Sequence, residues 1–223
     1  SVSMGIATSN GPEQELVETL KQADDLMYRD KLYRSSSVRS QMVNTLLVTL
    51  AEKDQISGGH AKRLQKLCLE LGRRARLSTR QLSDLALFAQ VHDLGKVGIP
   101  DSILFKPGPL TADELRIMKL HPEKGYRIAI SSPDLSSVAD LILKHHERWD
   151  GKGYPLGISG EEIPIECRIL SIVDAFDAMT NDRPYSRAKS KEEAIEEIVN
   201  CSGTQFDPKL VQIFKSIVSN ELV

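Results

Sequence analysis

The fold class predicted by this sequence is an all-α helical bundle, preceded by one short strand and a long helix. Three observations predict it: apolar residues recur at helical spacing in successive segments, Gly and Pro punctuate those segments, and strict alternation is confined to residues 1–7. In that first stretch Val2, Met4 and Ile6 fall on one face and Ser1, Ser3 and Gly5 on the other, as in a half-buried strand. After the breaker Asn10-Gly11-Pro12, the spacing of Leu16, Leu20, Ala23, Met27 and Leu32 predicts an amphipathic helix. From Val38 the helical pattern resumes through Met42, Leu46, Leu47 and Leu50; Ser35-Ser36-Ser37 reads as a hinge or as continuous helix, and one long connecting helix is favoured. Further helices are expected over 57–75, 79–93, 111–120, 136–147, 166–181, 191–200 and 208–219, with irregular loops over 107–110 and 150–164. Loops of this kind commonly carry function on a rigid scaffold.

Composition narrows the function. A chain of 223 residues with 40% hydrophobic content can bury one good core and part of a second. Its 29 basic and 31 acidic residues leave a formal charge of −2, so no broad cationic surface is available to track a nucleic-acid polymer. An anionic ligand must meet a local cluster. Cys68, Cys167 and Cys201 are odd in number and contain no CxxC pair, which suits a reducing cytosol better than a disulfide framework or a thiolate zinc site. No apolar run approaches the roughly 20 residues that span a bilayer, and the first residues lack the regions of a signal peptide. Sensor or membrane segments upstream of residue 1 stay open.

Five histidines carry the chemical information: His60, His92, His121, His145 and His146. Imidazole mixed with carboxylate, without thiolate, suits zinc, manganese, iron or a similar ion. His92-Asp93 ends an apolar helix containing Leu85, Leu87, Phe88 and Val91 and runs into Leu94-Gly95-Lys96. Adjacent residues on a helix diverge by about 100°, so this pair serves best if Asp93 bridges two metals while His92 binds one. The plain alternative is a histidine at a helix C-terminus, favoured by the dipole, and a capping aspartate. His145-His146-Glu147, followed by Arg148-Trp149-Asp150-Gly151, is awkward in an ordinary core, although a half-exposed helix end would tolerate it. Both rings reach one metal only if it lies between their directions; otherwise one acts behind the other. Asp174 and Asp177 lie three apart in an apolar helix and need partners if buried. A metal would serve one, and a cap or an arginine the other.

Together these elements resemble the HD-GYP domain, a bacterial branch of the HD phosphohydrolases, over residues 38–223. The likeness spans His60, His92-Asp93-Leu94-Gly95-Lys96, His121-Pro122 with Gly125, His145-His146-Glu147, Asp150-Gly151, Gly153-Tyr154-Pro155, the stretch 174–180 and Asp182-Arg183-Pro184-Tyr185. It implies an HD-domain helical bundle and a phosphodiesterase that linearises cyclic di-GMP to pGpG, in some members on to GMP; a few members prefer cyclic GMP-AMP. It also implies that His60, His92, Asp93, His121, His145, His146 and Asp174 ligate two divalent transition-metal ions, Fe, Mn, Zn or similar, with Asp93 shared. Some members hold a third metal through a glutamate four residues before the first histidine, where this chain has Ile56. Two metals are therefore expected. The first 34 residues resemble the C-terminal end of a GGDEF domain, giving domains 1–34 and 35–223, and the cyclase signature loop is not in the chain.

The expected nucleophile is a hydroxide bridging two metals about 3.5–4 Å apart, with Asp93 and Lys96 as the catalytic pair. Lys96 would neutralise phosphate oxygens, and Arg183 and Arg187 would hold phosphate, Arg187 standing where the family often has lysine. Plainer readings are a surface salt bridge for Lys96 and a turn contact for Arg183. Tyr185 is a candidate for stacking on a purine, with packing beside proline the alternative. Gly153-Tyr154-Pro155 reads as a loop device without assigned chemistry. The partners expected are a cyclic dinucleotide, a GGDEF-domain or upstream sensor partner and a second copy in a homodimer, in the cytoplasm. Rival readings are an inactive dinucleotide-sensing or interaction module and a general HD phosphohydrolase.

Overall fold

Apolar spacing becomes helix wherever the chain can close its turns. The computed structural model describes residues 6–8, 19–20, 23, 59–182 and 187–220, and the chain divides into two units, Ser1–Val48 and Thr49–Val223. Among the described residues the second unit comprises α1 (His60–Arg74), α2 (Thr79–Val91), α3 (Asp101–Leu104), α4 (Ala112–Met118), α5 (His121–Ile130), α6 (Ala139–Lys144), α7 (Ile165–Thr180), α8 (Lys191–Asn200) and α9 (Pro208–Asn220), with 3-10 turns at Leu94–Gly98, Ser136–Val138 and Gly160–Glu162. No strand occurs among the described residues; Ser202 and Phe206 make one isolated bridge. Of the strand expected over 1–7 only Ile6 and Ala7 are described, and they carry no regular secondary structure. The connecting helix over 38–50 and most of the GGDEF-like stretch lie outside the described residues.

Local sequence explains where the helices begin. Ser78 with Gln81, Thr111 with Glu114 and Ser190 with Glu193 form capping boxes at α2, α4 and α8, each pair satisfying two backbone N–H groups left free by the first turn. Leu64, Cys68 and Leu71 form the buried stripe of α1, which packs on α2 and α7. Leu85 and Phe88 of α2 and Ile169, Leu170, Ile172 and Val173 of α7 complete this core. Each such side chain contributes about 1.5–3 kcal/mol on burial. Phe214 of α9 meets Phe176 edge-on, with ring centroids 5.2 Å apart.

Two departures from the sequence expectation matter for the site. The segment expected over 136–147 breaks into a 3-10 turn and the short α6, so His145 and His146 stand just beyond a helix C-terminus. Moreover, α5 lies outside the expected helices, and it contains Pro122 and Gly125, residues that on their own disfavour a helix. Proline in the first turn forfeits no hydrogen bond, since that N–H has no acceptor in the helix. Gly125 sits mid-helix because its backbone touches the Leu94–Gly98 turn. A Cβ on Gly95 would overlap the His121 carbonyl oxygen and lie 2.6 Å from Gly125 N, while a Cβ on Gly125 would lie 3.1 Å from Gly95 N and 2.7 Å from Ile142 Cγ2. Gly95→Ala is expected to destabilise the fold by about 3 kcal/mol or more, read as a lower urea midpoint; an unchanged midpoint would mean that the two segments separate at little cost.

Candidate metal centre

Three of the histidines share one local device. His92, His121 and His145 each stand at or just after a helix C-terminus, and each Nδ1 faces the carbonyl three residues back: Ala89 O at 3.1 Å, Met118 O at 2.9 Å and Ile142 O at 2.7 Å. Carbonyls in the last turn of a helix lack intrahelical partners. By donating Nδ1–H, each imidazole satisfies one such carbonyl and turns Nε2 the other way, where it carries a lone pair whenever the ring is neutral. The helix-end position and the capacity to present Nε2 to a metal are thus compatible in one residue. His60 opens α1 and is oriented instead by a carboxylate: its Nδ1 lies 2.6 Å from Asp177 Oδ2. Asp177 is held in turn by Arg63, whose Nε and Nη2 donate to its two oxygens at 2.6 and 3.0 Å, and by the Asn181 amide at 3.1 Å. His146 stacks on Tyr154, with ring centroids 4.8 Å apart and planes 22° from parallel.

The expected ligands fall into two groups, Asp93 with His121, His145 and His146, and His60 with His92 and Asp174; within each group one ligand atom per residue lies within 4.8 Å of the others. His121 Nε2 is 3.1 Å from both His145 Nε2 and His146 Nε2. Asp93 faces both groups: Oδ1 is 3.4 Å from His121 Nε2 and 3.9 Å from His145 Nε2, and Oδ2 is 3.2 Å from His92 Nε2. His60 Nε2 lies 3.6 Å from Asp174 Oδ1.

This donor set fits a metal. The Nδ1 protons of His121 and His145 are committed to carbonyls, so two Nε2 lone pairs face each other at 3.1 Å with no proton between them. A cation resolves that repulsion, and nitrogens bound side by side at about 2.1 Å from one ion lie about 3 Å apart. Electrostatics agree. Burial, reinforced by His146, holds His145 well below the usual histidine range; burial also lowers His121 and brings His146 to about 3. Burial would raise Asp93, yet Lys96 and His92 hold it well below the usual carboxylate range, with Lys96 Nζ 2.8 Å from Oδ2. His92 is opposed by burial but raised to about 8 by the Asp93 carboxylate. Asp177, which burial would raise, is brought to about 2 by hydrogen bonds from His60 and Arg63.

The loop after His146 is tied to the ligands. Glu147, 5% exposed, accepts from Leu156 N at 2.7 Å and Gly157 N at 3.2 Å. A Cβ on Gly153 would lie 2.5 Å from Arg148 N and Glu147 Cα, and Tyr154 N–H donates to His146 O at 3.2 Å. A cleft of 380 Å³ opens in front of both groups, with His92, His145, His146 and Asp174 in its wall alongside Lys119, Arg148, Lys152 and Tyr154.

The structure brings together all seven residues expected as ligands and sets Lys96 against Asp93, outside the cleft wall. Arg187 is exposed and does not line the cleft, and Arg183 and Tyr185 lie outside the described residues. Lys119, Lys152 and the stacking role of Tyr154 were missed by sequence reasoning; their only signal was proximity to His121 and His146 in the chain.

A helical domain presenting two adjacent histidine–aspartate groups is the class defined here, and comparisons with known proteins agree. The family model described as HD domain matches residues 44–210, more than half of the 223 residues, so the chain belongs to the HD-domain family. It is 42% identical over 164 residues to a cyclic di-GMP phosphodiesterase of Thermotoga maritima, covering 73% of this chain and 45% of that protein. To a 3'3'-cGAMP-specific phosphodiesterase of Vibrio cholerae it is 38% identical over 175 residues, covering 78% of this chain and 34% of that protein. The chain thus spans less than half the length of these relatives. The crystal structure of a cyclic GMP-AMP specific phosphodiesterase of Vibrio cholerae superposes with a TM-score of 0.65 at 24% identity, covering 81% of this chain and 49% of that one, a likeness in fold.

Two outcomes are expected from this geometry. Asp177→Asn, which keeps the shape of the side chain but weakens its grip on His60, should lower metal affinity or activity about 10–100-fold, measured by chelator competition; equal resistance to the chelator would show that His60 orients itself. Because His92 holds a proton up to about pH 8 and must lose it to become a ligand, metal loading at pH 7 should release a proton and weaken as the pH falls. Calorimetry in buffers of different ionisation enthalpy reads this directly, and heats independent of the buffer would contradict it.

Proposed function

We propose that this chain is an HD-GYP type phosphodiesterase that hydrolyses cyclic di-GMP to linear pGpG, using two divalent transition-metal ions. The observation carrying this reading is the placement of Asp93, one carboxylate oxygen toward each histidine group. His121, His145 and His146 would hold one ion, His60, His92 and Asp174 the other, and Asp93 both. When bound, such a pair supplies Lewis acidity toward a phosphate and a potent water-derived nucleophile at neutral pH.

The protein's own residues prepare the rest. The carbonyl-bonded imidazoles need no reorientation to offer their Nε2 atoms, and fixed groups of this kind cost no reorganisation at the moment of reaction. Lys96 keeps Asp93 ionised and fixes its rotation. Glu147 and Gly153 hold the loop of Tyr154 against the cleft. Arg183 and Arg187 are proposed to hold phosphate, and Tyr185 to stack on a base. The likeness of the first 34 residues to the end of a GGDEF domain supports a signalling protein with a further domain as partner, and three free cysteines suit a reducing cytoplasm. Cyclic GMP-AMP is the second substrate reading, favoured by the 38% identity to the Vibrio enzyme.

Metal analysis with a substrate panel tests the proposal: about two metal equivalents per chain, turnover of cyclic di-GMP, and loss of both in Asp93→Ala. Full occupancy with no turnover of any cyclic dinucleotide would turn the reading toward a sensing module.

A further inference from the structure

Three cations, Lys119, Arg148 and Lys152, share the cleft with the expected metal ligands. They differ in how far their charge is already answered. The Arg148 guanidinium donates to both Asp150 oxygens, at 3.1 and 3.2 Å, and to Gln205 Oε1 at 3.2 Å. Lys119 and Lys152 make no salt bridge among the described residues, although the Lys152 charge is felt by the nearby Asp150 carboxylate, which Arg148 already engages. Some lysines are answered directly, as Lys106 by Glu114 and Lys144 by Asp140; what distinguishes Lys119 and Lys152 from the other lysines is their place in the cleft wall. In a chain whose formal charge is −2, two ammonium groups without a salt bridge at one cleft form a local anion site rather than part of a general basic surface.

Geometry ties one of them to the ligands. Lys119 Nζ lies 5.0 Å from the Tyr154 ring centroid, a cation–π contact, and that ring stacks 4.8 Å from His146. The ammonium therefore stands within about 10 Å of a metal-facing imidazole, with its position set by an aromatic ring that also sets the imidazole. Lys152 comes from the same loop as Tyr154, and its backbone is fixed by an N–H bond to Asp150 Oδ1 at 3.1 Å.

A cyclic dinucleotide carries two phosphodiesters on opposite sides of one small ring, and only one can face the metal groups at a time. The other brings a negative charge into a cleft that already holds Asp174, and an unanswered charge there costs affinity. We infer that Lys119 and Lys152 form a subsite for the second, uncut phosphate. The subsite selects substrates with two phosphodiesters over those with one. It rests on the cyclic-dinucleotide reading above and adds to it the group that recognises the far half of the ligand.

The test uses the metal-loaded full chain with Lys119→Gln and Lys152→Gln combined. The KM for cyclic di-GMP is expected to rise about tenfold, with kcat and metal content close to those of the parent. For bis(p-nitrophenyl) phosphate, which has a single phosphate, the ratio of KM values should stay near one, and Lys119→Arg with Lys152→Arg should restore most of the loss. A KM for cyclic di-GMP equal to that of the parent overturns the subsite, as does an equal rise for both substrates or a loss of kcat accompanied by loss of metal. A parent protein that cleaves bis(p-nitrophenyl) phosphate but no cyclic dinucleotide overturns the substrate reading itself, a separate result visible before any variant is made.

Discussion

The contact between Gly95 and α5 is the constraint on which the rest of the site depends. Asp93 and His121 lie on different segments, and they approach only because two backbones meet without intervening side chains. A glycine in mid-helix costs about 1 kcal/mol relative to alanine, and at Gly125 that cost is offset by the close packing it allows. From this junction one carboxylate reaches two clusters of imidazoles, and the buried core of α1, α2 and α7 holds the second cluster in range.

Polar groups so deeply placed need a reason to be there. His92, His121 and His145 are each no more than 5% exposed, and nitrogen atoms with lone pairs face one another across short gaps. An apolar protein interior penalises such an arrangement, and an ion pair of ordinary residues would not need five imidazoles. Low basicity in His121, His145 and His146 keeps them neutral, as cation ligands must be, while Lys96 balances the shared aspartate. The same field raises His92, so its proton is the one that a cation bound there would displace.

Much of this was legible in the sequence. Apolar periodicity marked α1, α2, α7, α8 and α9 within a few residues, and the histidines with their neighbouring aspartates named the side chains that converge. The exceptions have physical causes. The helix α5 lies outside the expected helices and contains Pro122 and Gly125, which on their own disfavour a helix, and only the neighbouring backbone explains the glycine. Asp174 and Asp177 are chemically identical and three residues apart, so their separate roles depend on where α1 brings His60 and Arg63. Lys119 and Lys152 carry no periodic signal at all, and their meaning comes from the cleft they border. The strand and the GGDEF-like stretch fall mostly outside the described residues, as do Arg183 and Tyr185.

The histidine-to-carbonyl bonds span only three residues each, and their short reach has a consequence for folding. Ring direction is decided within a single helix end, without help from distant parts of the chain. Once α2, α4 and α6 have closed their final turns, at whatever stage of folding that occurs, each imidazole is held by its own helix end. An ion bound by these donors would tie the helix ends together, so that metal binding and folding support each other.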